Sequence, residues 1–217
     1  MRLIVVSSPA KFDSELKILP GLFENGLEAF HLRKPKFSSR RMNKYLNKFP
    51  KEYLNRVIIH THHNLAIKFR LKGIHITEKQ KKKKFFMLIK LKILKLLNPN
   101  LAVTTTFHSI SDLLREKKKY HYVFLSPVFD SISKKNYRSS FNEEILKQTL
   151  IKAPQTVIAL GGVKTQNIFK AKEFGFSGVA VLGALWAEGV SPIKVFTEIK
   201  DACIEKDLKI LPLNLEV

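Results

Sequence analysis

The chain has 217 residues, with 39 Lys and Arg against 18 Asp and Glu and a formal charge of +21. That length suits one domain, or at most two small ones, and a hydrophobic fraction of 45% argues against wholesale disorder, while a single cysteine, Cys203, excludes an internal disulfide framework or a thiolate zinc cluster. No apolar run reaches the roughly 18–20 residues of a membrane span, and residues 1–7 pass from a short apolar run into polar residues as a first strand does, so a soluble, cytoplasmic, very basic protein is expected.

Along the chain, short β-rich runs at residues 3–6, 29–32, 57–60, 73–76, 102–105, 122–125, 156–160 and 178–182 predict strands. Amphipathic stretches at 14–25, 39–49, 64–71, 81–97, 109–118, 142–151, 166–174 and 191–206 predict the helices between them. Strands that read as near-continuous apolar runs are buried on both faces, as in a parallel sheet covered by helices. Eight strand–helix repeats in 217 residues predict an α/β fold, a compact (β/α)₈ TIM barrel filling 1–217 as one domain. The rival, a doubly wound open sheet, is disfavoured by the eight units and by the lack of an early glycine-rich turn.

The helical segment 81–97 (KKKKFFMLIKLKILKLL) carries Phe86, Ile89, Ile93 and Leu96/Leu97 at helical spacing, with lysines on other faces. An interfacial membrane helix has this pattern, and so does a barrel helix whose Lys stems snorkel along its edges. The alternation of elements favours the barrel helix, so no membrane partner is expected.

The charge of +21 invites nucleic acid, anionic lipid or a phosphorylated substrate. Few aromatics interleave with the Lys runs, so the stacking signature of single-strand binders is weak and no nucleic-acid partner is expected. Only five acids are Asp (Asp13, Asp112, Asp130, Asp201 and Asp207), which leaves few ligands for a carboxylate-rich Mg²⁺ site.

In such a barrel the site is built from the loops after the strands' C-terminal ends. Gly161-Gly162 after the seventh strand, and Leu182-Gly183 after the eighth, let backbone approach a ligand and suit a phosphate cradle. Ser131, Ser133 and Lys134, on the loop after the sixth strand, offer two hydroxyls and an ammonium to phosphate oxygens. Arg33, ending the second strand, calls for an anionic partner, with Lys34 beside it as a second base. Six of the seven histidines lie near strands two to five: His31, His60, His62, His63, His75 and His108. A transition-metal site is one reading of them, though His75 sits mid-strand, where a hydrogen-bonded core histidine is expected. His108 is best placed for proton shuttling, the task to which an imidazole is suited.

Together these segments resemble the thiamine phosphate synthase/TenI superfamily. The carrying residues are HLRKPKFS (31–38), GIHIT (73–77), Thr106-Phe107-His108-Ser109, YVFLSPVFDSISKK (122–135) and ALGGVKTQNI with GFSGVAVLGALW (159–186), in family order. The resemblance implies a (β/α)₈ barrel of thiamine biosynthesis in which Gly162 and the Leu182-Gly183 backbone hold a thiazole phosphate. It implies that Ser131, Ser133 and Lys134 grip phosphate or pyrophosphate, and that Arg33 meets a pyrimidine pyrophosphate. The departures are as informative. His31 stands where the synthases have Gln, as in TenI-type members. The synthase Asn-Asp pair aligns with His60-Thr61, and its second metal Asp aligns with Gln80. Thr106-Phe107-His108-Ser109 looks like the TenI segment whose histidine is the acid–base residue of a metal-free thiazole tautomerase.

The expected function is therefore TenI-like thiazole tautomerisation, with His108, Arg33 and His31 at the chemistry and Thr106, Ser131, Ser133, Lys134, Gly161, Gly162, Leu182 and Gly183 around the phosphate. No cofactor is expected. The alternative is a thiamine-phosphate synthase, which would call for Mg²⁺, and the third reading is a non-catalytic barrel that binds a phosphorylated ligand. Partners are small phosphorylated substrates, and the oligomeric state stays open.

Overall fold

The computed structural model describes residues 1–9, 13–129 and 141–208. Its strands are β1 (Arg2–Val6), β2 (Ala29–Leu32), β3 (Val57–Ile59), β4 (Gly73–Ile76), β5 (Ala102–Phe107), β6 (Tyr122–Leu125), β7 (Val157–Leu160) and β8 (Gly178–Val181). Each pairs in parallel with the next, and β8 pairs with β1, so the sheet closes into a barrel in chain order. Outside it run α1 (Asp13–Glu24), α2 (Ser39–Lys48), α3 (Asn64–Lys68), α4 (Glu78–Lys81), α5 (Lys84–Leu97), α6 (Ile110–Arg115), α7 (Glu143–Lys152), α8 (Ile168–Glu173) and α9 (Pro192–Leu208).

The strand period of two sorts these residues into two cores. Leu3 and Val5, Phe30 and Leu32, Val57 and Ile59, Val123 and Leu125 belong to the larger cluster shared with the helices. The alternate residues Ile4, Ala29, Ile58, Tyr122, Phe124, Ile158 and Ala180 form a separate cluster inside the barrel. Strands such as β1, β3 and β6 are thus buried on both faces, which is why they read as near-continuous apolar runs rather than alternating ones.

Helix starts follow local chemistry. The Ser38 hydroxyl accepts from the Arg41 N–H, the Ser109 hydroxyl from Asp112, and the Asn142 side-chain oxygen from Glu144 and Ile145, each satisfying donors of a first turn. The helix predicted over 81–97 is instead two helices. Thr77 and Gln80 form a reciprocal capping box that starts α4 three residues earlier, and Lys83 at φ −92° and ψ 54° breaks the run before α5. The helix predicted over 64–71 stops at Lys68. There Arg70 turns left-handed at φ 50°, and the Leu71 N–H reaches back to the Ala66 carbonyl, as in a Schellman closure.

Candidate active site

A cavity of about 480 Å³ opens at the C-terminal ends of the strands. Its wall includes Arg33 after β2, His60 after β3, His75 on β4, Thr106 and His108 on and after β5, Gly161 and Gly162 after β7, and Leu182 and Gly183 after β8. These contributions from six strands place most of the sequence-predicted residues around one space. Ser131, Ser133 and Lys134, with Asp130, lie outside the described residues.

Two predicted residues take other positions. His31 does not line the cavity. Its ring is fully buried in the barrel, with Nδ1 3.0 Å from His60 Nε2 and Nε2 2.5 Å from the Tyr122 hydroxyl. It touches cavity-lining residues, His60 through a hydrogen bond and His75 and Phe124 through ring contacts, but does not itself reach the cavity. Lys34 does not face a ligand either. It turns inward to Glu15 at 2.9 Å, both side chains buried, and also donates to the Ser8 carbonyl. Glu15 accepts from the Tyr45 hydroxyl at 2.5 Å and from the Ser8 N–H at 2.6 Å. Burial pushes the Glu15 carboxyl up and the Lys34 ammonium down, and each offsets the other through its opposite charge. The cluster ties the β1 and β2 ends to α1 and α2. The Ser7 hydroxyl completes the tie by accepting from the Arg33 N–H at 2.8 Å and donating to its carbonyl at 3.1 Å, which fixes the backbone from which Arg33 projects. Ser7 follows β1 as directly as Arg33 follows β2, and that position is the signal that finds it.

The barrel interior beneath the cavity on the β2–β5 side is a histidine–threonine network. The Thr104 hydroxyl donates to the Ile74 carbonyl, so it accepts from His75 Nδ1–H at 2.9 Å. His75 Nε2 is then an acceptor and takes the Thr106 hydroxyl proton at 3.1 Å. His63 donates from Nε2 to the His60 and His75 carbonyls, closing the network from behind. Desolvation holds all of these rings neutral: His31 is lowered to about 3 and His63 to about 4, with His60 and His75 also well below the usual range, helped by neighbouring positive groups. His31, His60 and His75 present nitrogens within 4.8 Å of one another, a donor set that suits a borderline transition ion. Both nitrogens of His31, both of His75 and Nε2 of His60 are engaged by one another, by Tyr122 and by the two threonines, and the His60 and His75 rings stack at 4.1 Å. The arrangement is that of a hydrogen-bonded core.

His108 differs from these. It is exposed, lines the cavity, and lies 2.6 Å through Nδ1 from the Ser126 carbonyl. A carbonyl only accepts, so Nδ1 carries the hydrogen and, in the neutral ring, Nε2 carries the lone pair available to a ligand.

Across the cavity the wall is backbone. Gly161 (φ 93°) and Gly162 (φ 67°) both occupy the left-handed region, and a Cβ on Gly161 would stand 2.9 Å from Pro127 Cα. Asn167 donates to the Gly162 carbonyl at 2.8 Å and pins this turn, while Trp186 donates from Nε1 to the Val6 carbonyl at 2.8 Å and holds the Leu182-Gly183 loop against the end of β1. The loop after β8 continues as a turn over 183–186.

A family described as thiamine monophosphate synthase (TMP-TENI) matches residues 3–185. The chain belongs to that family. It is accordingly grouped with enzymes of thiamine biosynthesis, as the motifs implied. Thiamine-phosphate synthase of Pyrococcus abyssi is 23% identical over 209 residues, covering 94% of this chain and 96% of that protein. The synthase of Caldicellulosiruptor bescii is 24% identical over 176 residues, covering 79% and 76%. Among solved structures, thiamine phosphate pyrophosphorylase of Bacteroides thetaiotaomicron superposes with a TM-score of 0.74 at 30% identity, covering 94% of this chain and 98% of its own.

The family's synthase reading brings Mg²⁺ into question, and the residues here do not fit it. Gln80, at the second metal Asp position, has its amide oxygen on the Thr77 N–H (2.9 Å) and its amide nitrogen on the His60 carbonyl (3.3 Å). Thr61, at the first, is a hydroxyl buried without a partner. Among the described cavity residues Glu78 is the one carboxylate, whereas Mg²⁺ is held through carboxylates and substrate phosphates.

Proposed function

We propose that this enzyme isomerises a thiazole carboxylate phosphate in the manner of a TenI-type tautomerase. The observation that carries the reading is His108: a cavity-lining imidazole whose Nδ1 is engaged by the Ser126 carbonyl, which leaves the Nε2 lone pair of the neutral ring for the role of base. Nε2 takes a proton from one position of the non-aromatic ring, and the resulting imidazolium returns it at another, which aromatises the thiazole with no net change in protons. The phosphate is held by the Gly161-Gly162 and Leu182-Gly183 backbone, with Ser131, Ser133 and Lys134 completing its grip. Arg33 meets the second anionic group. Anchoring far from the reacting atoms positions the ring for transfer. None of these steps needs a divalent ion, in keeping with a cavity wall that offers one described carboxylate.

A second reading has one specific support, the synthase names of its relatives. Coupling a pyrimidine pyrophosphate to thiazole phosphate requires stabilising a departing pyrophosphate, normally with Mg²⁺. Purified protein given both substrates and Mg²⁺ separates the two. The expected result is thiazole isomerisation that survives chelation, with no thiamine phosphate; appreciable thiamine phosphate overturns the proposal in favour of the synthase.

A further inference from the structure

Helix α5 is the part of the molecule that the barrel does not explain. It docks through Met87 and Leu94, which are buried, with Leu91 partly so. The stripe at helical spacing points the other way: Phe86 is 74% exposed, Ile89 43%, Ile93 53% and Leu97 61%, with Phe85 at 69% and Leu96 at 83% beside it. Because α3 has only five residues, it leaves a groove along α5 lined by Ile67, Phe86, Ile89, Ile93 and Leu97. A contiguous apolar face of this kind marks a docking surface.

Charge identifies the occupant. From Tyr53 to Ser111 the chain carries twelve Lys or Arg and one acid, Glu78, so a large share of the +21 originates in this quarter of the barrel. Lys82, Lys83, Lys92 and Lys95 are exposed around the apolar stripe. A second copy docked face to face across a two-fold axis would set these lysines against their own counterparts, with Glu78 the one acid of the stretch to offset them. A nucleic acid would answer the lysines but leave Ile89, Ile93, Leu96 and Leu97 in water. An anionic bilayer answers both, taking the apolar side chains into the headgroup–acyl boundary while the Lys stems reach lipid phosphates.

We propose that α5 seats this enzyme on anionic membrane surfaces. At 1.5 Å per residue its 14 residues extend about 21 Å, and no helix among the described residues is long and apolar enough to cross a membrane, so α5 lies in the interface plane. α5 is the barrel helix that the alternation of elements predicts, but it docks through Met87, Leu91 and Leu94, and the stripe Phe86/Ile89/Ile93/Leu97 faces outward.

Flotation of the full-length protein tests this, using phosphatidylcholine vesicles with and without about one-third phosphatidylserine at physiological salt. The protein should float with the anionic vesicles at least about tenfold more than with the neutral ones, and lose most of this when salt rises to about 1 M, where the screening length falls to about 3 Å. The double variant Ile89→Glu/Ile93→Glu should stay in the soluble fraction, with an unchanged circular dichroism spectrum and unchanged binding of thiazole phosphate. The proposal is overturned by absent or composition-independent flotation, or by equal flotation of the variant. It is likewise overturned if light scattering finds a dimer that the variant dissolves while vesicles are ignored, or if the face retains RNA but not vesicles.

Discussion

The two walls of the cavity solve opposite problems. On the β2–β5 side, side chains do the work: His60, His75, Thr106 and His108 fill the space with donors and acceptors, and Tyr122, His31 and Thr104 extend the network into the barrel. On the β7–β8 side, side chains are kept away, with two left-handed glycines and a tethered turn leaving backbone exposed to a ligand. One wall can orient a proton because its groups donate and accept hydrogen bonds. The other presents backbone without a Cβ at Gly161 and Gly162, a surface that suits an anion. Between them, the Lys34–Glu15 pair and Ser7 fix the strand ends on which Arg33 is mounted.

If the division is real, damage to the proton wall should spare affinity. His108→Ala should lower turnover by about 10²–10⁴-fold with ligand affinity nearly intact, measured by steady-state kinetics and calorimetric titration. Unchanged turnover would move the chemistry away from this wall. Next in size is the junction. Glu15→Ala leaves Lys34 buried without its carboxylate and should cost about 3–5 kcal/mol in a denaturant titration, because breaking a buried pair strands the remaining charge. A loss under 1 kcal/mol would mean the pair is effectively solvated.

The histidine wall also carries a pH signature. The buried rings titrate lower folded than unfolded, so below pH about 6.5 the unfolded chain binds more protons and stability falls with falling pH. Each ring contributes up to about 1.4 kcal/mol per pH unit from 6.5 down to its folded value, which is about 4 for His63 and about 3 for His31. Thermal unfolding scanned from pH 7 to 5 should show this decline, and His31→Gln should make it shallower. A flat profile would show that the rings are solvated. The smallest effect belongs to the backbone wall. Gly161→Ala adds a Cβ at φ 93° against Pro127 and should cost about 1–3 kcal/mol, weakening thiazole phosphate binding while sparing turnover at saturation. Equal loss of turnover would join the two walls into one functional unit.

Much of this was open to reading from residue order. The strand runs, the helix starts and the glycine turns depend on neighbours a few residues apart, and so do Gly161-Gly162, Arg33 and His108, which sit just after strand ends that local pattern identifies. What escaped depends on partners far away in the chain. Lys34 is buried because Glu15 and Tyr45 meet it across 19 and 11 positions respectively, and nothing local distinguishes it from exposed Lys36. His31 is removed from the cavity because Tyr122, 91 residues on, takes its second nitrogen. On α5 the sequence KFFMLIKLKILKLL holds two stripes of helical period, Met87/Leu91/Leu94 and Phe86/Ile89/Ile93/Leu97, and periodicity is equally satisfied by either. The sequence by itself determined the eightfold alternation, and with it the end of the barrel where ligand-facing residues gather, because period and turn chemistry are local. Only the tertiary structure decided which bases are paired inside, which histidines reach the cavity and which face of α5 meets the outside, because those are settled by contacts between distant segments competing for the same core.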